Sequence, residues 1–248
     1  MKNLRKKLAL ATALFLANSL IANAIVINIT STDRGHHNNL GAHTAIDDNY
    51  SVGNASAGSL VFRNWFVFDL SFIAPTSIIT SATLILDVPA GGFSSVDSTE
   101  TYTLYDLEAP FNPGDVVLSR APGNVTGQTI FANFGGGTVY GSRVYSNADN
   151  GTTTTITLNS DFLNFATSKT GSVIAFGGAL TTLDLDNGTQ ELTFGNSGTG
   201  NPQDGNSQLQ LEIVDGIIPE PSTGILSGVL VMFAMAASRR RRSGNRQL

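Results

Sequence analysis

The chain has 248 residues, a formal net charge of −5, 13% charged residues, 26 glycines and no cysteine. The missing cysteine excludes disulfides, a cysteine nucleophile and thiolate metal sites. Residues 25–218 hold five basic residues against eighteen acidic ones, a net of −13, and so lack the clustered Lys and Arg of a nucleic-acid surface.

At the N-terminus, Lys2, Arg5, Lys6 and Lys7 precede the apolar run 8–17, and Ala22-Asn23-Ala24 follows. A positive n-region, a short h-region and an A-x-A site predict a secretory signal peptide over 1–24. Signal peptidase would remove this helix after Ala24 and leave Ile25 as the new N-terminus. The run has no polar stripe of helical period, which a buried amphipathic helix would show.

The body, 25–216, alternates short apolar-patterned runs with turn residues. The clearest strand is 60–70. Its even positions, Leu60, Phe62, Asn64, Phe66, Phe68 and Leu70, make one nearly apolar face, and its odd positions are mixed. In 82–88, Ala82, Leu84, Leu86 and Val88 alternate with Thr83, Ile85 and Asp87. Further strands are predicted at 26–30, 101–107, 128–133, 138–145, 152–158, 172–176, 190–194 and 208–214. Turn signals separate them: Asn112-Pro113-Gly114, Pro122-Gly123-Asn124, Asn150-Gly151 and Asn187-Gly188, of which the Asn-Gly pairs suit residues with positive φ. One short helix is predicted at 161–168, capped by Ser160, with Phe162, Phe165 and Ala166 inward. The fold expected is all-β: a single β-sandwich of jelly-roll type with one short helix.

Few residues in this body offer chemistry. His36, His37 and His43 are the only histidines, and three imidazoles can ligate Zn²⁺ or Cu²⁺. The polar character of 33–39 predicts a solvated loop instead. Asp184, Asp186 and Glu191 flank an Asp-Asn-Gly turn; such oxygen-rich turns suit Ca²⁺, although an unligated hairpin is the expectation. Arg63 and Asp69 share one strand face and are expected to pair. Tyr50, Trp65, Tyr140 and Tyr145 are the aromatics that could stack on sugar rings if exposed. There is no HExxH, no GxSxG and no phosphate-cradling loop, and Gly135-Gly136-Gly137 reads as a turn. No enzymatic activity and no cofactor are expected, calcium being the one candidate.

The tail, 217–248, has three parts: Pro219-Glu220-Pro221, the apolar run 224–237, and Arg239, Arg240, Arg241 and Arg242. Fourteen helical residues rise about 21 Å, short of a ~30 Å bilayer core. Flanking residues and snorkelling arginines bring the span to the margin. The arginines hold that end in the cytoplasm, so the helix reads as a transient inner-membrane anchor. The two prolines fix φ and withhold backbone donors, leaving Glu220 on an extended, accessible segment.

These three parts in order resemble the PEP-CTERM sorting signal of bacteria that make exopolysaccharide. The resemblance covers about the last 30 residues. It implies recognition of Pro219-Glu220-Pro221 by an exosortase, a membrane-embedded cysteine transpeptidase that removes the helix. A second resemblance covers roughly 50 residues of the body. Phe62-Arg63, Phe66-Val67-Phe68-Asp69-Leu70-Ser71, 79–86 and Leu104-Tyr105-Asp106-Leu107 are similar to DNRLRE-type jelly-roll domains, some of whose relatives bind polysaccharide. The function expected is that of an exported surface or extracellular-matrix protein with a structural or adhesive role. A polysaccharide-binding module, braced by calcium, is the alternative, and a hydrolase stands third.

Overall fold

Period-two alternation dominates the described part of the chain, and the fold it produces is all-β. The computed structural model describes residues 24–55, 60–184, 190–198 and 205–214; the tail 217–248 in which a sorting signal is expected, Ala22 and Asp186 lie outside them. Eleven strands are found among these residues: β1 (Ala24–Thr30), β2 (Asp33–Asn38), β3 (Val52–Asn54), β4 (Val61–Asp69), β5 (Ile78–Val88), β6 (Thr99–Asp106), β7 (Val139–Ser146), β8 (Thr152–Thr157), β9 (Val173–Leu180), β10 (Glu191–Thr193) and β11 (Ser207–Val214). Three helices accompany them: α1 (Pro113–Val116), α2 (Val125–Asn133) and α3 (Ser160–Ser168).

Every pairing is antiparallel. One sheet has the order β1-β11-β5-β8, and the other β10-β3-β4-β9-β6-β7 with β2 also on β4. With the short strands β2, β3 and β10 set aside, the pairs nest: β1 with β11, β4 with β9, β5 with β8 and β6 with β7.

The main core lies between the sheets. Leu84 and Leu86 of β5 and Leu209 and Leu211 of β11 meet Phe66, Phe68, Tyr102 and Phe176 from the second sheet, all without exposure. Full burial of each such side chain contributes about 1.5–3 kcal/mol. Phe68 and Phe176 stack with centroids 5.5 Å apart, within the favourable range for offset aromatic pairs. Two hydrogen bonds satisfy polar side chains inside this core. Tyr102 donates to Asn64 Oδ1 at 2.6 Å, and Asn64 Nδ2 donates to the Tyr50 carbonyl at 2.9 Å. Burial raises the Tyr102 pKa well above the usual phenol value, so the phenol remains a donor.

Strand β4 departs from the one-sided face expected of it. Asn64, Trp65, Phe66, Val67 and Phe68 are all buried, whereas Phe62 is only half-buried. The cause is a second core outside the larger sheet, where Trp65, Val67 and Ala175 pack beneath Val116 of α1 and Ile130 and Phe134 of α2.

Helix α2 is a correction to the strand expected over 128–133. Asn124, just after the Pro122-Gly123 turn, caps it by accepting from the Gly127 N–H at 2.9 Å. Ile130 and Phe134, four residues apart, are buried against the sheet, a helical period that so short a run concealed. The first of the turn signals likewise became α1, whose cap Asn112 and Asp115 form a reciprocal capping box. Helix α3 lies where it was expected, but its cap is Asn159, which accepts from the Asp161 and Phe162 N–H groups.

Arg63 and Asp69 do not pair. Six residues along a strand separate them by about 20 Å. Arg63 Nη1 donates to the Phe131 and Ala132 carbonyls at 2.9 and 3.1 Å, and its guanidinium lies 4.3 Å from the Phe131 ring centroid. Gly135 permits this approach, since a Cβ there would fall 2.0 Å from Arg63 Cζ. Asp69 accepts from the Ser71 N–H at 2.8 Å.

Candidate functional site

His36 and His37 occupy a strand, not a solvated loop, and His43 follows it in an isolated bridge to Arg120. Residues 33–38 form β2, which pairs with β4 so that Gly35 faces Trp65 and His37 faces Arg63. Alternation sends His36 to one side and His37 to the other. His36 Nδ1 contacts the Asn49 carbonyl at 2.7 Å, and its ring meets Phe62 edge-on. His37 joins the second core with no exposure, and His43, 6% exposed, lies beside it with ring centroids 4.9 Å apart. Gly35 makes room for this cluster: a Cβ there would lie 2.9 Å from Trp65 Cζ2 and 3.1 Å from His43 Cε1.

The carbonyl partners assign the tautomers. His37 Nε2 faces the Val116 carbonyl at 3.0 Å, so it carries the proton; His43 Nδ1 donates to the His36 carbonyl at 2.9 Å. Burial lowers the His37 pKa to about 3 and lowers that of His43 as well, because a desolvated imidazole resists charging. Both rings are therefore neutral at pH 7. Each keeps one bare nitrogen: His37 Nδ1 and His43 Nε2 are buried without a hydrogen-bond partner, as is Trp65 Nε1.

A second constellation lies near the starts of β6 and β10. Asp97, Glu100 and Glu191 each place one carboxylate oxygen within 4.8 Å of the others. Glu100 opens β6 and Glu191 opens β10; both have no exposure, while Asp97 is at the surface. Two carboxylates withdrawn from water together are costly unless hydrogen bonds or a cation offset them. Ser95 Oγ donates to Glu100 Oε1 at 2.7 Å and Thr182 Oγ1 to Oε2 at 2.5 Å. The Asp184 N–H donates to Glu191 Oε2 at 2.7 Å. Three oxygen donors of this type suit a hard divalent cation such as Ca²⁺.

Of the three calcium candidates weighed against an unligated hairpin in the sequence, Glu191 turns inward beside Glu100, Asp184 meets it through a backbone N–H, and Asp186 is outside the described residues. Glu100 and Asp97 were missed. The signal was present, because Glu100 shares the inward stripe of β6 with Tyr102 and Leu104, and a carboxylate in an apolar stripe marks an exceptional site.

No protein-family model matches the chain, and no curated protein matches it either. The four aromatics considered for sugar stacking, Tyr50, Trp65, Tyr140 and Tyr145, are all buried and form no surface platform. Tyr50 and Tyr145 point their hydroxyls at the Asp87 carbonyl and Thr154 Oγ1, at 2.8 and 3.1 Å. Ala24 and Ile25 of the signal site open β1; Pro219, Glu220, Pro221 and Arg239 to Arg242 lie outside the described residues.

Proposed function

We propose that this chain is an exported bacterial surface or extracellular-matrix protein with a structural or adhesive body, sorted and cleaved by an exosortase-type transpeptidase. The observation that carries this reading is the register of β1 on β11: Ala24 lies opposite Val214, and Ile25 opposite Ile213. Among the described residues the ladder thus runs from Ala24, the last residue of the A-x-A site, to Val214, five residues before Pro219. Removal after Ala24 costs β1 one terminal residue and leaves the Ile25 pairing in place. A transient inner-membrane stage precedes release, with Arg239 to Arg242 on the cytoplasmic side.

The nested pairs β1–β11, β4–β9, β5–β8 and β6–β7 support a jelly-roll for the body, as though one long hairpin were rolled into two sheets. Intact mass measurement of the natural surface-associated pool tests the sorting reading. The expected species starts at Ile25 and ends between 219 and 221, with any attached group read from the added mass. A pool that mostly retains Arg239 to Arg242 overturns it.

The Asp97, Glu100 and Glu191 cluster favours a second reading, a polysaccharide-binding module braced by calcium. Retention on exopolysaccharide that requires Ca²⁺ supports it; no retention with or without Ca²⁺ removes it. Neither reading assigns catalysis to the body.

A further inference from the structure

We propose that His37 Nδ1 and His43 Nε2 form a binding site for a late first-row transition-metal ion. Metal-bound histidines characteristically donate their other ring N–H to a carbonyl or carboxylate, which fixes the tautomer and turns the lone pair toward the ion. Both rings already have that arrangement, through the Val116 and His36 carbonyls. Both lone-pair nitrogens are buried and lack a partner, and the centroid separation of 4.9 Å matches two imidazoles meeting one ion at a bent angle with bonds of about 2.0 Å.

Imidazole donors select Zn²⁺, Cu²⁺ or Ni²⁺ over Ca²⁺ or Mg²⁺. This site is thus chemically distinct from the carboxylate cluster and independent of the sorting reading. The charged groups at its margin are Asp47 beside His43, Arg120 beside both rings, and Arg63 opposite His37 on β4, so the ion's gain must come from the two imidazole donors and not from local charge. Trp65 Nε1–H, whose ring meets His43 edge-on at 5.3 Å, is a donor and cannot ligate; a water or hydroxide on the metal would accept from it. The competing occupant is a single trapped water, which can donate to both imine nitrogens and accept from the indole.

The test uses the full chain in detergent, chelator-stripped and carrying no histidine tag. His36, His37 and His43 are the chain's only histidines, so the background is low and His36 serves as an internal control. Titration with Zn²⁺ against a chromophoric chelator should show one equivalent bound by the wild type and by His36→Asn. His37→Gln and His43→Gln should each weaken binding by at least about 100-fold, beyond the usual effect of losing an outer-shell partner. Absence of stoichiometric uptake overturns the proposal in favour of the trapped water, and uptake that survives both Gln substitutions overturns it in favour of a site elsewhere, such as the carboxylate cluster. If neither Gln variant folds, electron paramagnetic resonance of the wild type with one equivalent of Cu²⁺ decides. Hyperfine coupling to two imidazole nitrogens supports the site, and a spectrum without it overturns the site.

Discussion

Tyr102 reaches from β6 over Gly178 of β9 and donates a 2.6 Å hydrogen bond to Asn64 Oδ1 on β4. Neither residue has any exposure. The Tyr102→Phe variant keeps the ring but leaves Asn64 Oδ1 desolvated and without this donor. The expected loss is about 1–3 kcal/mol, read as a lower urea midpoint with an unchanged m-value.

Phe66 and Phe62 lie on the same face of β4 but differ in burial. Phe66 is unexposed and packs near Phe68, Phe176 and Tyr50. Phe66→Ala should cost roughly 3–5 kcal/mol through lost transfer energy and the cavity left behind. Phe62→Ala should cost clearly less, since its half-buried ring leaves a gap open to water. Equal losses in chemical denaturation would contradict the burial difference.

Helix α3 tests which residue is the cap. Asn159→Ala removes the acceptor for two first-turn N–H groups and should cost about 1 kcal/mol. Ser160→Ala, one residue inside the helix, should change stability by less than about 0.5 kcal/mol. Thermal melts of the two variants separate these outcomes.

The buried carboxylate pair predicts a calcium response. Millimolar CaCl₂ should raise the melting temperature relative to EDTA, because an ion bound only to the folded state adds stability by mass action. Glu100→Gln should abolish that increment. A melting curve indifferent to Ca²⁺ leaves Ser95, Thr182 and Asp184 as the groups that offset the pair.

Several elements were legible because their residues carry a complete local rule. In β5, Ala82, Leu84, Leu86 and Val88 alternate with the half-buried Thr83, Ile85 and Asp87, and the same four residues line the core. The 161–168 helix was legible from its apolar spacing. Its cap was misplaced because Asn159 and Ser160 are both good cap residues, and only the path of the chain from β8 selects between them. Residues 128–133 were misread because six positions fit either period, and the deciding partner, Phe134, lies just beyond them.

The sequence by itself determined the all-β class and the alternation of the long strands, since both rest on a repeat of two. It could not determine that β4 is covered on both faces. Trp65 and Val67 read as positions on the mixed face of the strand, and His37 as part of a solvated loop, until α1 and α2 close over that face. The same holds for the two candidate ion sites. His37 and His43 meet because β2 pairs with β4 beneath that cover, and Glu100 and Glu191, ninety-one positions apart, meet because β6 and β10 open near one another. Alternation specifies which side of a strand a residue takes, but burial depends on what long-range packing sets against that side, and burial is what turns a solvated imidazole or carboxylate into a possible ligand.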